Sequence, residues 1–146
     1  MKRKQVEEIA AAFIDALHAL EAHGEEQVET MVKLFADDAR LTNAALDGKE
    51  LTGQEGTRQF WSEYRKTFGE VRSEFSHVLA DDQAAGLFWR TEGAARDGQP
   101  LGYDGVSLLE LTEDGKISFF RGYYDTRELS RELGVNQRPA VQASGE

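Results

Sequence analysis

Apolar residues recur at helical spacing from the first turn onward: Val6, Ile9, Ala10, Phe13, Ile14, Leu17 and Leu20, with Lys, Gln, Glu and Asp between them. The pattern predicts an amphipathic helix ending near Gly24. Val28, Met31, Val32 and Phe35 form the stripe of a shorter second helix. The step Ala36-Asp37-Asp38 ends it before a short extended run, Arg40 to Asn43, and 46–50 reads as a loop. Thr52-Gly53-Gln54-Glu55 has the spacing of a capping box and precedes Phe60, Trp61, Tyr64 and Phe68 at helical offsets. A third helix is expected to end at Gly69.

From there the period changes to two. Val71, Ser73, Phe75, His77 and Leu79 alternate with Arg72, Glu74, Ser76 and Val78, and Asp81-Asp82-Gln83 marks a turn. Ala84 to Arg96 is the next strand, Asp97-Gly98 a hairpin signal, and Leu101 to Leu111 the strand it leads into. Glu113-Asp114-Gly115-Lys116 turns the chain into a last long strand, Ile117 to Asp125. Thr126 to Leu133 then reads as a short helix stopped by Gly134, and 135–146 as a flexible tail. Helices followed by a run of antiparallel strands predict an α+β domain over 1–134, with three N-terminal helices packed on one face of a curved sheet.

The chain has 146 residues, enough to bury about 70% of its unfolded surface around one core. Seventeen Lys and Arg against 27 Asp and Glu give a formal charge of −10, so an acidic surface repels phosphate backbones and argues against nucleic acid as a partner. Cysteine is absent, which removes disulfides and thiolate chemistry, and three scattered histidines make no metal set. Glu7, Glu8 and Asp15 interrupt any signal-peptide-like apolar run, so a cytoplasmic protein with no membrane span is expected. No glycine-rich phosphate loop or other cofactor signature is present, and no cofactor is expected.

The order of elements, with Leu34-Phe-Ala-Asp-Asp-Ala-Arg-Leu41, Leu51-Thr-Gly-Gln-Glu-Gly56, Leu111-Thr-Glu-Asp-Gly-Lys-Ile117 and Arg121-Gly-Tyr-Tyr-Asp-Thr-Arg-Glu-Leu129, resembles the nuclear transport factor two-like superfamily. Within it the chain is similar to the SnoaL-like and limonene-epoxide-hydrolase-like branch, over roughly residues 5 to 134. The resemblance implies a cone in which sheet and helices close around an apolar pocket. It also implies that Phe120, Gly122 and Tyr124 point inward while Ile117, Phe119, Arg121 and Tyr123 face the other side. That outer face, unusually apolar, would suit a homodimer interface.

The same resemblance carries Arg90 onto the branch's arginine, Glu92 onto its first carboxylate and Asn43 onto its asparagine. Leu41 and Gly122 stand where a tyrosine and the second aspartate would be. Epoxide opening of that type needs one carboxylate as base and a second as acid, so a limonene-type hydrolase is not expected. Arg90 and Glu92 form either an acid–base pair in the pocket or a structural ion pair. Asp125, near the end of the last strand, matches the acid–base carboxylate of SnoaL-like cyclases, or caps the helix after it. His77 could relay a proton or simply fill an apolar strand face.

Asp15 and Glu21 suggest that the part of the first helix bearing His18 and His23 meets solvent. Phe60, Tyr64, Phe88, Tyr103, Phe120 and Tyr124 are candidate walls for an apolar ligand, and a buried phenol could donate to a developing oxyanion. Two functions remain open: a cofactor-free acid–base enzyme of isomerase, cyclase or hydrolase type acting on a small apolar molecule, or a non-catalytic ligand-binding or protein-interaction module of the same fold.

Overall fold

Gly24 closes the first helix with φ +89°, a conformation glycine enters without a Cβ penalty, and its N–H returns to the Leu20 carbonyl at 2.9 Å. In the computed structural model, which describes residues 1–128, this helix is α1 (Arg3–His23). A single 3₁₀ turn (Glu25–Gln27) joins it to the short α2 (Val28–Val32). Strand β1 runs Phe35–Asn43, longer than the sequence pattern predicts, because Ala36, Asp37 and Asp38 continue the extended chain instead of forming a turn. A 3₁₀ turn (Ala44–Leu46) and a two-residue strand β2 (Leu51–Thr52), absent from the sequence reading, lead into α3 (Gly53–Lys66). Thr52 is the N-cap of α3, but its side chain makes no cap hydrogen bond; Glu55 pairs instead with Arg58 at 3.1 Å. The expected capping box is therefore not formed.

Four long strands follow: β3 (Phe68–Ala80), β4 (Ala84–Ala95), β5 (Pro100–Leu111) and β6 (Ile117–Tyr124). The six strands form one curved sheet in the order β2-β1-β6-β5-β4-β3, antiparallel except where β1 lies parallel to β6. Asp81 sets the β3–β4 turn by accepting the backbone N–H groups of Gln83 and Ala84 at 2.7 and 2.8 Å. The α1, α2 and α3 helices pack against the sheet and each other through Val6, Phe13, Leu20, Met31, Leu41, Leu87, Leu109 and Ile117, all fully buried. A smaller cluster of Phe68, Val71, Ala95, Leu101 and Tyr103 fills the far end of the sheet.

Two bulges reset which residues face inward. Phe75 opposes Trp89 but His77 opposes Phe88, so Ser76 is an extra residue and His77 turns to the outer face. Likewise Phe119 opposes Glu110 while Ile117 opposes Leu111; Ile117 is therefore buried, not outward as the family correspondence implied. No helix among the described residues is long and apolar enough to cross a membrane. A helical turn begins at 126–128; the rest of the expected C-terminal helix and the tail lie outside the described residues.

Candidate functional site

Phe13, Leu17 and Glu21 follow one another at steps of four on α1 and so share one face, the face that meets the sheet. All three are buried, and Glu21 is only 4% exposed. Its position contradicts the expectation that this side chain meets solvent. A carboxylate away from water is tolerated when donors meet its oxygens, and three do. Ser73 N–H donates to Oε1 at 2.9 Å, while Ser73 Oγ and Tyr64 OH donate to Oε2 at 2.6 and 2.7 Å. Ser73 Oγ also lies 2.7 Å from Thr91 Oγ1. Ser73 and Thr91 face each other across β3 and β4, both nearly inaccessible.

This network forms one side of a cavity of about 60 Å³ between the helices and the concave sheet face. Ser73, Thr91 and Tyr64 line it, while Glu21 stands behind them. The apolar wall is a stack of Phe13, Phe60, Trp61 and Phe120, with ring centroids 4.9 to 5.7 Å apart. Opposite it, Tyr103 lies edge-on to Trp89 at 5.4 Å and to Tyr124 at 5.3 Å. Trp89 is held by its Nε1–H, which donates to Ser107 Oγ at 2.9 Å, and by Gly105, where an added Cβ would fall 2.3 Å from the indole. The Nε1 of Trp61 is buried with no partner among the described residues.

Burial, reinforced by the charge of Glu21, pushes the Tyr64 phenol well above its ordinary value. Burial likewise raises Tyr103, and lifts Tyr124 to about 12. All three remain hydrogen-bond donors at any physiological pH.

Of the residues singled out in the sequence, Asn43, Phe60, Tyr64, Tyr103, Phe120 and Tyr124 line this cavity, as does Gly122. Arg90 and Glu92 do not. They alternate with the inward Trp89 and Thr91 and stand on the outer face, 47% and 55% exposed, where Arg90 pairs with Glu92 at 3.4 Å and Asp104 at 3.2 Å. Their arrangement is the surface ion pair. His77 lies beyond the bulge, edge-on to the half-exposed Phe88, and neither reaches the cavity. Asp125 accepts the Arg127 backbone N–H at 2.9 Å. The Arg127 side chain, with that N–H, holds its carboxyl below the ordinary range. It sits at the start of a helical turn, as a cap does.

The residues that sequence reasoning missed are Glu21, Ser73, Thr91 and Ser107. A signal existed for the first, since four-residue spacing from Phe13 and Leu17 puts Glu21 on the apolar face. Among the described residues no group of three or more His, Asp or Glu side chains converges as a metal site.

Comparison with solved structures gives matches across most of the chain. A presumed ketosteroid isomerase from Kribbella flavida DSM 17836 superposes with a TM-score of 0.66 at 21% identity, covering 84% of this chain and 79% of that one. An NTF2-like protein of unknown function from Exiguobacterium sp. 255-15 superposes with a TM-score of 0.68 at 20% identity, covering 80% and 98%. At such identities the likeness speaks for the fold alone. No curated protein matches the chain. The sequence pattern of the SnoaL-like domain, however, matches residues 10–120, the stretch that carries most of α1, including its buried Glu21, and most of the sheet that closes the cavity. The chain therefore belongs to the SnoaL-like domain family.

Proposed function

We propose that the protein binds a small, largely apolar molecule in this cavity and performs cofactor-free acid–base chemistry on it, of isomerase, cyclase or hydrolase type. The observation that carries the reading is Glu21: a buried carboxylate linked through Ser73 to the hydroxyl of Thr91 in the cavity wall. A carboxylate so placed can take up or return a proton through the intervening hydroxyls, while the Tyr103 and Tyr124 phenols stabilise negative charge developing on a bound oxygen. Asn43, Phe60, Tyr64 and Phe120 shape the remaining wall. Likeness to a presumed ketosteroid isomerase agrees with isomerase-type chemistry.

The test is deuterium exchange into small cyclic ketones in heavy water. Wild type should accelerate exchange at the carbons beside the carbonyl, and Glu21→Gln should lose that acceleration while still binding the ketone. Binding without exchange in either protein would leave the second reading, a non-catalytic binding module. That reading is favoured by two observations: Glu21 stands behind the wall, and Gly122 offers no second carboxylate.

The outer sheet face supports pairing with a second copy of the chain. Leu79, Tyr123 and Phe88 are 60%, 45% and 37% exposed there. The Arg121 guanidinium lies over the Tyr123 ring at 4.6 Å, and Arg90, Glu92 and Asp104 supply both signs of charge on the same face, so the surface can complement itself about a two-fold axis. Sedimentation of wild type as a dimer, and of Phe88→Asp as a folded monomer, is the expected result; a monomeric wild type removes this part of the proposal.

A further inference from the structure

We infer that the polar side of the cavity is built to accept a hydrogen, so that its ligand is a small alcohol or enol whose O–H donates to Thr91 Oγ1. The inference rests on the cavity being a ligand site, and it follows from counting hydroxyl hydrogens. A carboxylate oxygen only accepts, and a serine or threonine hydroxyl has one hydrogen to give. Ser73 spends its hydrogen on Glu21 Oε2, at 2.6 Å. The 2.7 Å contact between Ser73 Oγ and Thr91 Oγ1 must then use the hydrogen of Thr91. Tyr64 also spends its hydrogen on Glu21 Oε2. Ser73 and Tyr64 therefore direct their hydrogens to Glu21 and Thr91 directs its own to Ser73, so three hydroxyls that line the cavity have only lone pairs left to offer a ligand.

Tyr103 is the complement. It sits directly across the β4–β5 ladder from Thr91 and lines the same cavity. A ligand hydroxyl can donate to Thr91 and accept from the Tyr103 phenol at once. A ketone or ether can only accept, and leaves the Thr91 lone pair dry and unmatched. Size narrows the class further. The cavity is about 60 Å³, whereas one of about 150 Å³ is known to hold benzene. A ring of five or six atoms already requires the aromatic wall to yield slightly, and a polycyclic ligand lies well outside the space available.

Cyclopentanol, cyclopentanone and methylcyclopentane share a skeleton and differ in donating, accepting or neither. Their affinities can be read by NMR from the two indole N–H resonances, since the chain has two tryptophans and both line the cavity. Wild type should bind cyclopentanol about fivefold or more tightly than cyclopentanone, the fold-change of one net hydrogen bond. Thr91→Ser, which keeps the hydroxyl, should keep the preference, and the near-isosteric Thr91→Val should erase it. Ser73→Ala should erase it, because Thr91, deprived of its acceptor, can turn its hydrogen into the cavity and donate to the ketone while still accepting from the alcohol. Equal affinity for alcohol and ketone in wild type, or no change with Ser73→Ala, would overturn the inference while leaving the cavity a ligand site. If none of the three moves either indole resonance in any variant, the cavity reading fails and this inference with it.

Discussion

Ser73 Oγ lies 2.6 Å from Oε2 of Glu21, a residue 52 positions earlier in the chain, and this contact joins α1 to β3 inside the core. The backbone N–H of the same serine holds the other carboxylate oxygen. Groups coupled this closely are not additive. Ser73→Ala and Glu21→Gln should each destabilise the fold by about 1 to 3 kcal/mol. The double variant should lose less than their sum, leaving a coupling of about 1 kcal/mol or more in a urea-unfolding cycle. Additive losses would mean that the contact contributes nothing to stability.

Removing the carboxylate altogether is more severe. Glu21→Ala strands the Tyr64 hydroxyl and both Ser73 donors at a place almost closed to water. Each stranded donor costs about 1 to 3 kcal/mol before any relaxation or entry of water. A loss of about 3 kcal/mol or more is expected, measured as a shift of the urea midpoint at constant slope. A loss below about 1 kcal/mol would show that water satisfies these donors and that the site is wetter than its burial suggests.

Arg90 and Glu92 should behave in the opposite way. Both are about half exposed, and exposed ion pairs contribute only about 0 to 1 kcal/mol. Glu92→Gln and Arg90→Ala are expected to leave ligand affinity unchanged and to shift stability by no more than about that amount. A loss of binding in either variant would return the outer face to the functional argument.

The contrast between these pairs shows what was legible in the sequence. Helices α1 and α3, the long strands and the hairpin turns follow from periodicity and turn residues, because those signals are local. Facing is not local. Ser76 and Ser118 are single extra residues that invert the pattern around them, and nothing in their identity announces a bulge. Family correspondence points to Arg90 and Glu92, although Leu87, Trp89 and Thr91 alternate with them and are the residues turned inward. The charge of Glu21 suggests solvent, while its spacing from Phe13 and Leu17 places it on the buried face. Its partners, Tyr64 on α3 and Ser73 on β3, lie 43 and 52 residues away in sequence, so only the folded chain displays them.

Gly105 is a place where the fold leaves no room for a side chain. A Cβ there would fall 2.3 Å from the Trp89 ring and 2.6 Å from the Tyr123 carbonyl, and neither can move without disturbing the sheet or the cavity. Gly105→Ala should cost about 1 to 3 kcal/mol by overpacking. It should also tilt the indole off Ser107, breaking a 2.9 Å hydrogen bond, with a clear shift of the Trp89 indole resonance and weaker ligand binding. An unchanged resonance would mean that Trp89 is not held where the cavity wall requires it.

Alkaline pH tests the dryness of the site through its phenols. Tyr64, Tyr103 and Tyr124 are all raised by burial, Tyr124 to about 12, whereas a tyrosine in the unfolded chain releases its proton at about 10. Between those limits the folded state holds more protons than the unfolded one, so stability must fall as pH rises. The contribution is fully present below about pH 10. It is eroded above that, through about 12 for Tyr124 and higher still for the other two. Urea midpoints should therefore decline from about pH 10 upward, and Tyr103→Phe and Tyr124→Phe should each flatten the decline. At pH 11 most of the phenolate absorbance of these three residues should appear on unfolding. Full phenolate absorbance in the folded protein at that pH would show that water already reaches the phenols, and would undo the case for a dry acid–base site behind them.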